Sequence, residues 1–209
     1  MENGELPNGF GAAPRSQQSG LGQSGLGQSG LGQSGPRRRA ARVVVLDPLD
    51  RILLINASDP LHRNGPGWWE IPGGGIDHGE STEDAARREL WEEAGIAEAE
   101  IGPCVWFQRV QFSFGGWHFD QDEWVHIARC EGVSEGPQGL EALEVLAFGE
   151  QRWWTLEDLL EHQPRTIPYR MAEFLPHVIG GQFAGDPIDI TPDEHHVARW
   201  HEQASPPRS

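Results

Sequence analysis

The chain has 209 residues, 37 % of them hydrophobic, and its 32 acidic and 16 basic side chains leave a formal net charge of -16. That length suits one ordinary domain with tails. The charge argues against nucleic-acid and membrane partners, because both depend on clustered Lys and Arg.

No stretch approaches membrane-spanning length. The apolar run after Arg37, Arg38 and Arg39 is too short for a twin-arginine signal and ends in Asp47. A cytoplasmic location is expected. Cys104 and Cys130 read as two free thiols of a reducing compartment.

Residues 19–35 repeat the unit SGLGQ. Single leucines amid glycine, serine and glutamine cannot bury enough apolar surface to offset chain entropy. Residues 1–36 are therefore expected to form a disordered tail, and the arginines of "PRRRAAR" a solvated junction.

An ordered domain is predicted over 37–185. "ARVVVLD" (41–47) reads as a β-branched strand, Asp47 to Asp50 as a turn, and "RILLINA" (51–57) as its returning partner. A loop covers 58–67. "WWEIPGGGIDHGE" (68–80) is a short strand, a glycine-rich turn and a loop. Ser81 then suits a helix N-cap, with Asp84 three residues on, and Gly95 suits the C-cap, so a helix is predicted over 82–94. Strands follow at 103–114 and 123–130, with the aromatic stretch 112–124 as a glycine-tipped hairpin. A loop leads to a strand at 151–156. Thr155 and Asp158 begin a helix through Leu160. Pro168 opens a last helix, interrupted by Pro176 and stopped at Gly180 and Gly181. Residues 186–209, including His195, His196 and His201, read as a polar, frayed extension rather than a metal motif. This is a mixed α/β domain.

The predicted helix contains "RELWEEAG" (88–95). At 100° per residue, Glu89, Glu92 and Glu93 share one arc, while Ala86, Leu90, Ala94 and Ala97 lie to one side and can pack on a sheet. Like charges at these spacings repel. A divalent cation converts that repulsion into ligation, and hard cations such as Mg²⁺ take carboxylate oxygens along with waters and substrate phosphates. The acidic edge therefore reads as a metal platform. Gly73, Gly74 and Gly75 allow backbone to approach it closely. Arg88 can pair with Glu92 or Glu80.

The spacing from Gly74 through Glu80 to Arg88-Glu89-Leu90, Glu92-Glu93 and Gly95-Ile96 matches Gx5Ex7REUxEExGU, where U is aliphatic. The chain thereby resembles the Nudix hydrolase family, and the preceding "EIP" resembles the family's usual lead-in. The resemblance implies an α/β/α sandwich with a mixed sheet in a single domain. It implies hydrolysis of compounds in which a nucleoside diphosphate is linked to another group, by water attack at phosphorus with Mg²⁺ or Mn²⁺.

Carried over, Glu89, Glu92 and Glu93 look like metal ligands, with Gly73 supplying a backbone carbonyl. Glu80 and Arg88 look like supports. The general base is left open among Glu89, Glu123, Glu141 and Glu144; Glu123 and Glu144, each taken alone, read as solvated. Trp68 and Trp69 are candidates for base stacking, though core packing competes. Arg63 and Arg109 are candidate phosphate contacts. The expected partner is a small nucleotide-type diphosphate; a homodimer is left open, since many relatives pair. The alternative is a Nudix-like domain that senses nucleotides without turnover, but such domains often lose box carboxylates and this chain keeps them all. The related isopentenyl diphosphate isomerases use a cysteine ahead of the box, and this chain has none there.

Overall fold

The computed structural model describes residues 37–62, 65–183 and 185–204. The expected tail at 1–36 and the candidate contact Arg63 lie outside the described residues.

Strand β1 (Arg38–Leu46) begins three residues before its predicted start and pairs antiparallel with β2 (Ile52–Ala57) across the predicted turn. The junction arginines Arg37, Arg38 and Arg39 are exposed, and Arg37, just ahead of β1, also pairs with Asp120, its Nε 2.9 Å away. Short strands β3 (Trp68–Glu70) and β4 (Gly73–Gly75) precede helix α1 (Thr82–Ala94). The strands expected at 103–114 and 123–130 are present and longer, β5 (Glu100–Phe114) and β6 (Trp117–Arg129), and the expected glycine-tipped hairpin joins them, turned at Gly115 and Gly116. The expected loop after it contains helix α2 (Ala142–Ala147), which leads directly into β7 (Phe148–Trp154).

Helix α3 (Leu156–His162) starts at the predicted cap, with the Asp158 N–H donating to Thr155 Oγ1 at 3.0 Å. After β8 (Thr166–Ile167), helix α4 (Met171–Ile179) continues through Pro176 rather than breaking there. The segment expected to be frayed folds instead as β9 (Ile188–Asp189) and helix α5 (Glu194–Glu202). Ile190 is fully buried in the core, and the Trp200 ring stacks on Tyr169 at 5.2 Å, so a polar composition concealed two apolar anchors.

The sheet runs β8-β3-β2-β1-β6-β5-β9, with β4 also on β1 and β7 also on β2. It is mixed: β1 and β6 are parallel, whereas β1 and β2 are antiparallel. Alternate side chains of β1 point to opposite faces. Val43 and Val45 join Ala86, Leu90 and Ala94 beneath α1. Val44 and Leu46 join Leu159, Met171 and Leu175 beneath α3 and α4. Helices therefore cover both faces, which is why β1 reads as one continuous apolar run. Ala97 departs from the expected packing face: it lies beyond the helix and is exposed, while Ile96 is buried. Both cysteines are free.

Candidate active site

Helix α1 is held at both ends. The Asp84 N–H donates to Ser81 Oγ at 3.0 Å. At the other end Gly95, with φ 68°, closes the helix in the left-handed region. The loop after β6 covers this end: the N–H groups of Gln138 and Gly139 donate to the Glu92 carbonyl at 2.8 and 3.0 Å. Gln151 Nε2 donates to the Glu93 carbonyl at 2.7 Å, and Ser134 Oγ to the Ala94 carbonyl at 2.5 Å. His126 of β6 bridges the Gly102 carbonyl and Thr82 Oγ1 at 2.9 Å each, tying the first turn to the sheet. A helix so clamped fixes the direction of its glutamates.

Arg88 gathers the acidic edge. Its Nε and Nη2 each donate to Glu80 at 2.9 Å. Its Nη1 reaches Glu89 at 2.8 Å and Glu92 at 3.1 Å, and its Nη2 reaches the Gly75 carbonyl at 2.8 Å. Both predicted pairings of Arg88 are thus present. Those carboxylates hold the guanidinium pKa above its ordinary value, Glu80 most strongly, against the opposing effect of burial. The bidentate grip on Glu80 joins the loop before the helix to the helix itself.

Glu89 and Glu93 are buried and Glu92 is half-buried. Burial pushes the Glu89 carboxyl up to about 7; Arg88 opposes this, and the charges of Glu144 and Glu92 add to it. Glu93 is likewise raised well above the ordinary carboxylate range, by burial first and then by Glu89, Glu144 and Glu70. The Gly73 N–H donates to one Glu93 oxygen at 2.8 Å, while the other, Oε1, is buried without a hydrogen-bond partner. A buried carboxylate oxygen left unpaired is costly.

Glycine is required opposite this edge. A Cβ on Gly74 would stand 2.7 Å from Glu89 Oε1, so a side chain there would displace the carboxylate. Among the described residues no three His, Cys, Asp or Glu side chains stand together at ligand spacing. The hard oxygen donors of Glu89, Glu92 and Glu93, with an orphaned oxygen on Glu93, nonetheless have the chemistry that Mg²⁺ or Mn²⁺ takes.

The remaining candidates separate. Glu144 lies on α2 and is half-buried, not solvated; its carboxylate accepts from the Glu141 N–H at 2.7 Å. Burial raises its pKa, with Glu141, Glu70 and Glu92 adding, which places it by the acidic edge. Glu141 is exposed at the start of that helix. Glu123 is wholly buried rather than at a solvated strand mouth: Gln108 and Gln121 donate to it at 2.5 and 3.0 Å, and it lies 3.1 Å from Arg42. Trp68 is buried against Phe114 and Trp200, and its indole N–H donates to Glu70. Trp69 packs on Trp154 beside the core. Arg109 lies on the outer hairpin, 3.5 Å from Asp122.

Sequence reasoning missed Arg42 and Glu70. Both look like ordinary strand residues, and only an arginine within an otherwise apolar run, Arg42 before "VVVL", marks one of them.

A profile of the NUDIX domain matches residues 36–178. The chain belongs to the Nudix family. It is 33 % identical over 127 residues to Nudix hydrolase 25 of Arabidopsis thaliana, covering 53 % of this chain and 73 % of that one. It is 34 % identical over 130 residues to an RNA pyrophosphohydrolase of Caulobacter vibrioides, covering 57 % and 72 %. The MutT protein of Methanosarcina mazei Go1 superposes with a TM-score of 0.51 at 19 % identity, covering 74 % of this chain and 100 % of that one, a likeness of fold. The α/β fold read from the Nudix box is therefore the observed one, and the chain is a Nudix-type pyrophosphohydrolase. No helix among the described residues is long and apolar enough to cross a membrane.

Proposed function

We infer that the protein is a divalent-cation-dependent hydrolase that cleaves the diphosphate linkage of a nucleoside diphosphate joined to another group. The observation that carries this reading is the buried, unpaired oxygen of Glu93 beside the half-satisfied carboxylate of Glu89. Glu89, Glu92 and Glu93, with the Gly73 carbonyl, would hold Mg²⁺ or Mn²⁺. Such an ion, when bound, offsets phosphate charge and lowers the pKa of its water. It also reconciles a chain of net charge -16 with an anionic substrate.

The chain's own residues supply the rest. Arg88 fixes Glu89 and Glu92 against Glu80 and the Gly75 carbonyl, so the edge does not relax on binding. Glu89 is the first candidate to take a proton from the attacking water; burial raises its carboxyl, and a bound cation would hold it ionised. Glu144 is the second candidate for that proton, brought beside the edge by α2.

The similarity to a protein named RNA pyrophosphohydrolase makes a 5′-terminal RNA pyrophosphate one candidate substrate, but the chain's acidity favours a small nucleotide. The test is a panel of nucleoside triphosphates, dinucleoside polyphosphates, nucleotide sugars and 5′-triphosphorylated RNA, incubated with Mg²⁺ and then with EDTA. Cation-dependent release of phosphate or a nucleoside monophosphate is expected. Nucleotide binding with no turnover across the panel would overturn the reading.

A further inference from the structure

A buried charged layer lies behind the acidic edge, on strands that precede and follow the box. Arg42 of β1 is 7 % exposed and stands directly across the sheet from Gly73. Its Nη1 donates to the Ile71 carbonyl at 3.2 Å and lies 3.7 Å from Glu70; its Nε lies 3.1 Å from Glu123. Gly73 leaves no room between itself and this arginine: a Cβ there would stand 2.4 Å from the Ala41 carbonyl and 2.6 Å from Arg42 Cγ. The N–H of the same glycine holds Glu93.

A fixed cation so near Glu93 raises a question. An arginine that neutralised Glu93 would leave it with no need of a metal ion. Arg42 faces other carboxylates first: burial disfavours its charge, and Glu123, Glu70 and then Glu93 offset that, in this order, while its Nε makes no hydrogen bond. Glu70 is itself pinned, since the buried Trp68 indole N–H donates to its second oxygen. Trp68 in turn packs between Phe114 of the hairpin and Trp200 of α5, a helix beyond the matched family segment. The consequence is visible at Glu93, whose Oε1 is left without a partner despite a buried guanidinium behind it.

We propose that Glu70 is a positioning residue of the cation site: by occupying Arg42 it keeps that guanidinium from satisfying Glu93, and so leaves Glu93 for a mobile divalent cation. The inference rests on reading the Glu89–Glu93 edge as the cation site. Without the Glu70 charge, Arg42 turns toward Glu93 and competes with the metal. Charges arranged behind a ligand in this way commonly change metal affinity by about 10–100-fold.

The test is a titration of Mn²⁺ alone into the full-length protein, with free Mn²⁺ read by electron paramagnetic resonance and the fold checked by thermal melting. Glu70→Gln should bind Mn²⁺ at least about tenfold more weakly than wild type. Glu70→Asp, which keeps the charge, should retain most of the affinity. Glu161→Gln, which removes an exposed charge on α3, should bind as wild type does. Wild-type binding together with undiminished binding by Glu70→Gln would overturn the inference alone. Equal loss in Glu70→Gln and Glu70→Asp would also overturn it, because packing rather than charge would then be responsible. A wild-type protein that holds no Mn²⁺ would overturn the cation site and this inference together.

Discussion

Replacing Glu89 by Gln should stabilise the metal-free protein while removing its activity, and the stabilisation should depend on pH in a defined direction. The Glu89 carboxyl is pushed from its ordinary 4.5 up to about 7, chiefly by burial. A carboxyl raised on folding binds its proton more tightly in the native state than in the unfolded one. Between about 4.5 and 7 the native state therefore holds more protons, and stability falls as pH rises through that window. At about 1.36 kcal/mol per pKa unit, the loss from this one group is about 3 kcal/mol by pH 7, and it is flat above. Glutamine carries no such charge. The bond from Arg88 at 2.8 Å is already contained in that value, because Arg88 is what holds the carboxyl down against burial. Denaturant titrations in EDTA from pH 4 to 8 would measure this. The stability difference, variant minus wild type, should move in the variant's favour by about 3 kcal/mol as pH rises, and the wild-type curve should fall more steeply. A difference that stays constant with pH, or grows in the wild type's favour, would refute the assignment of Glu89 as a desolvated carboxyl. If Glu89 is the base, kcat in saturating Mg²⁺ should also fall by about 10²–10⁴-fold.

Three further outcomes follow from the same geometry. Glu93→Gln should fold, as judged by circular dichroism, but lose at least about 10²-fold in turnover; equal activity in variant and parent would remove Glu93 from the site. Gly74→Ala should spare the backbone, because what it meets at 2.7 Å is the far end of a side chain, yet that atom is Glu89 Oε1, which Arg88 holds. A displacement of about 1 Å there should lower kcat by about 10²-fold with a nearly unchanged melting temperature, and a large melting loss would instead place the strain in the backbone. Deleting residues 1–36 should leave turnover on the preferred substrate unchanged, and a large drop would bring the repeat tail into function.

The Nudix helix was legible nearly to the residue because its ends are written in local chemistry. Ser81 can only bond a backbone two or three residues ahead, and Gly95 tolerates a left-handed φ of 68°. Both effects act within one turn and need no knowledge of the rest of the chain. The fold class was legible for a related reason: "RVVVLD" is apolar on both faces, which demands cover on both sides of the sheet. What could not be read was set by long-range packing. Pro176 breaks an isolated helix, but in α4 Met171, Leu175 and Val178 are fully buried and hold the helix through the missing hydrogen bond. The segment after Gly185 is polar in bulk, and its large apolar anchors on the domain are Ile190 and Trp200. Two anchors, one on a two-residue strand and one on a short helix of low mean hydropathy, do not make a long apolar pattern.

The site divides along the same line. The front of the acidic edge is one helix face, with Arg88 reaching Glu89 and Glu92 within its own turn, and spacing alone assembles it. The back is contributed by Arg42, Glu70 and Glu123, which are far apart in sequence and meet because β1 pairs with β6, which carries Glu123, and with β4, which follows closely on Glu70 at the end of β3. On spacing alone, Glu123 looks like a surface carboxylate at a strand mouth. It becomes a buried counter-ion because its strand is parallel to β1, with Ala40 opposite Glu123 and Arg42 two residues further along. Such a layer carries a large desolvation cost, which its internal pairing offsets only if every charge is placed. Glu93 Oε1 is buried without a hydrogen-bond partner, although this layer lies directly behind it. The sheet thus confines the unmet charge to the helix face that the box glutamates present, so the register of β1 matters to the chemistry as directly as the spacing of the box.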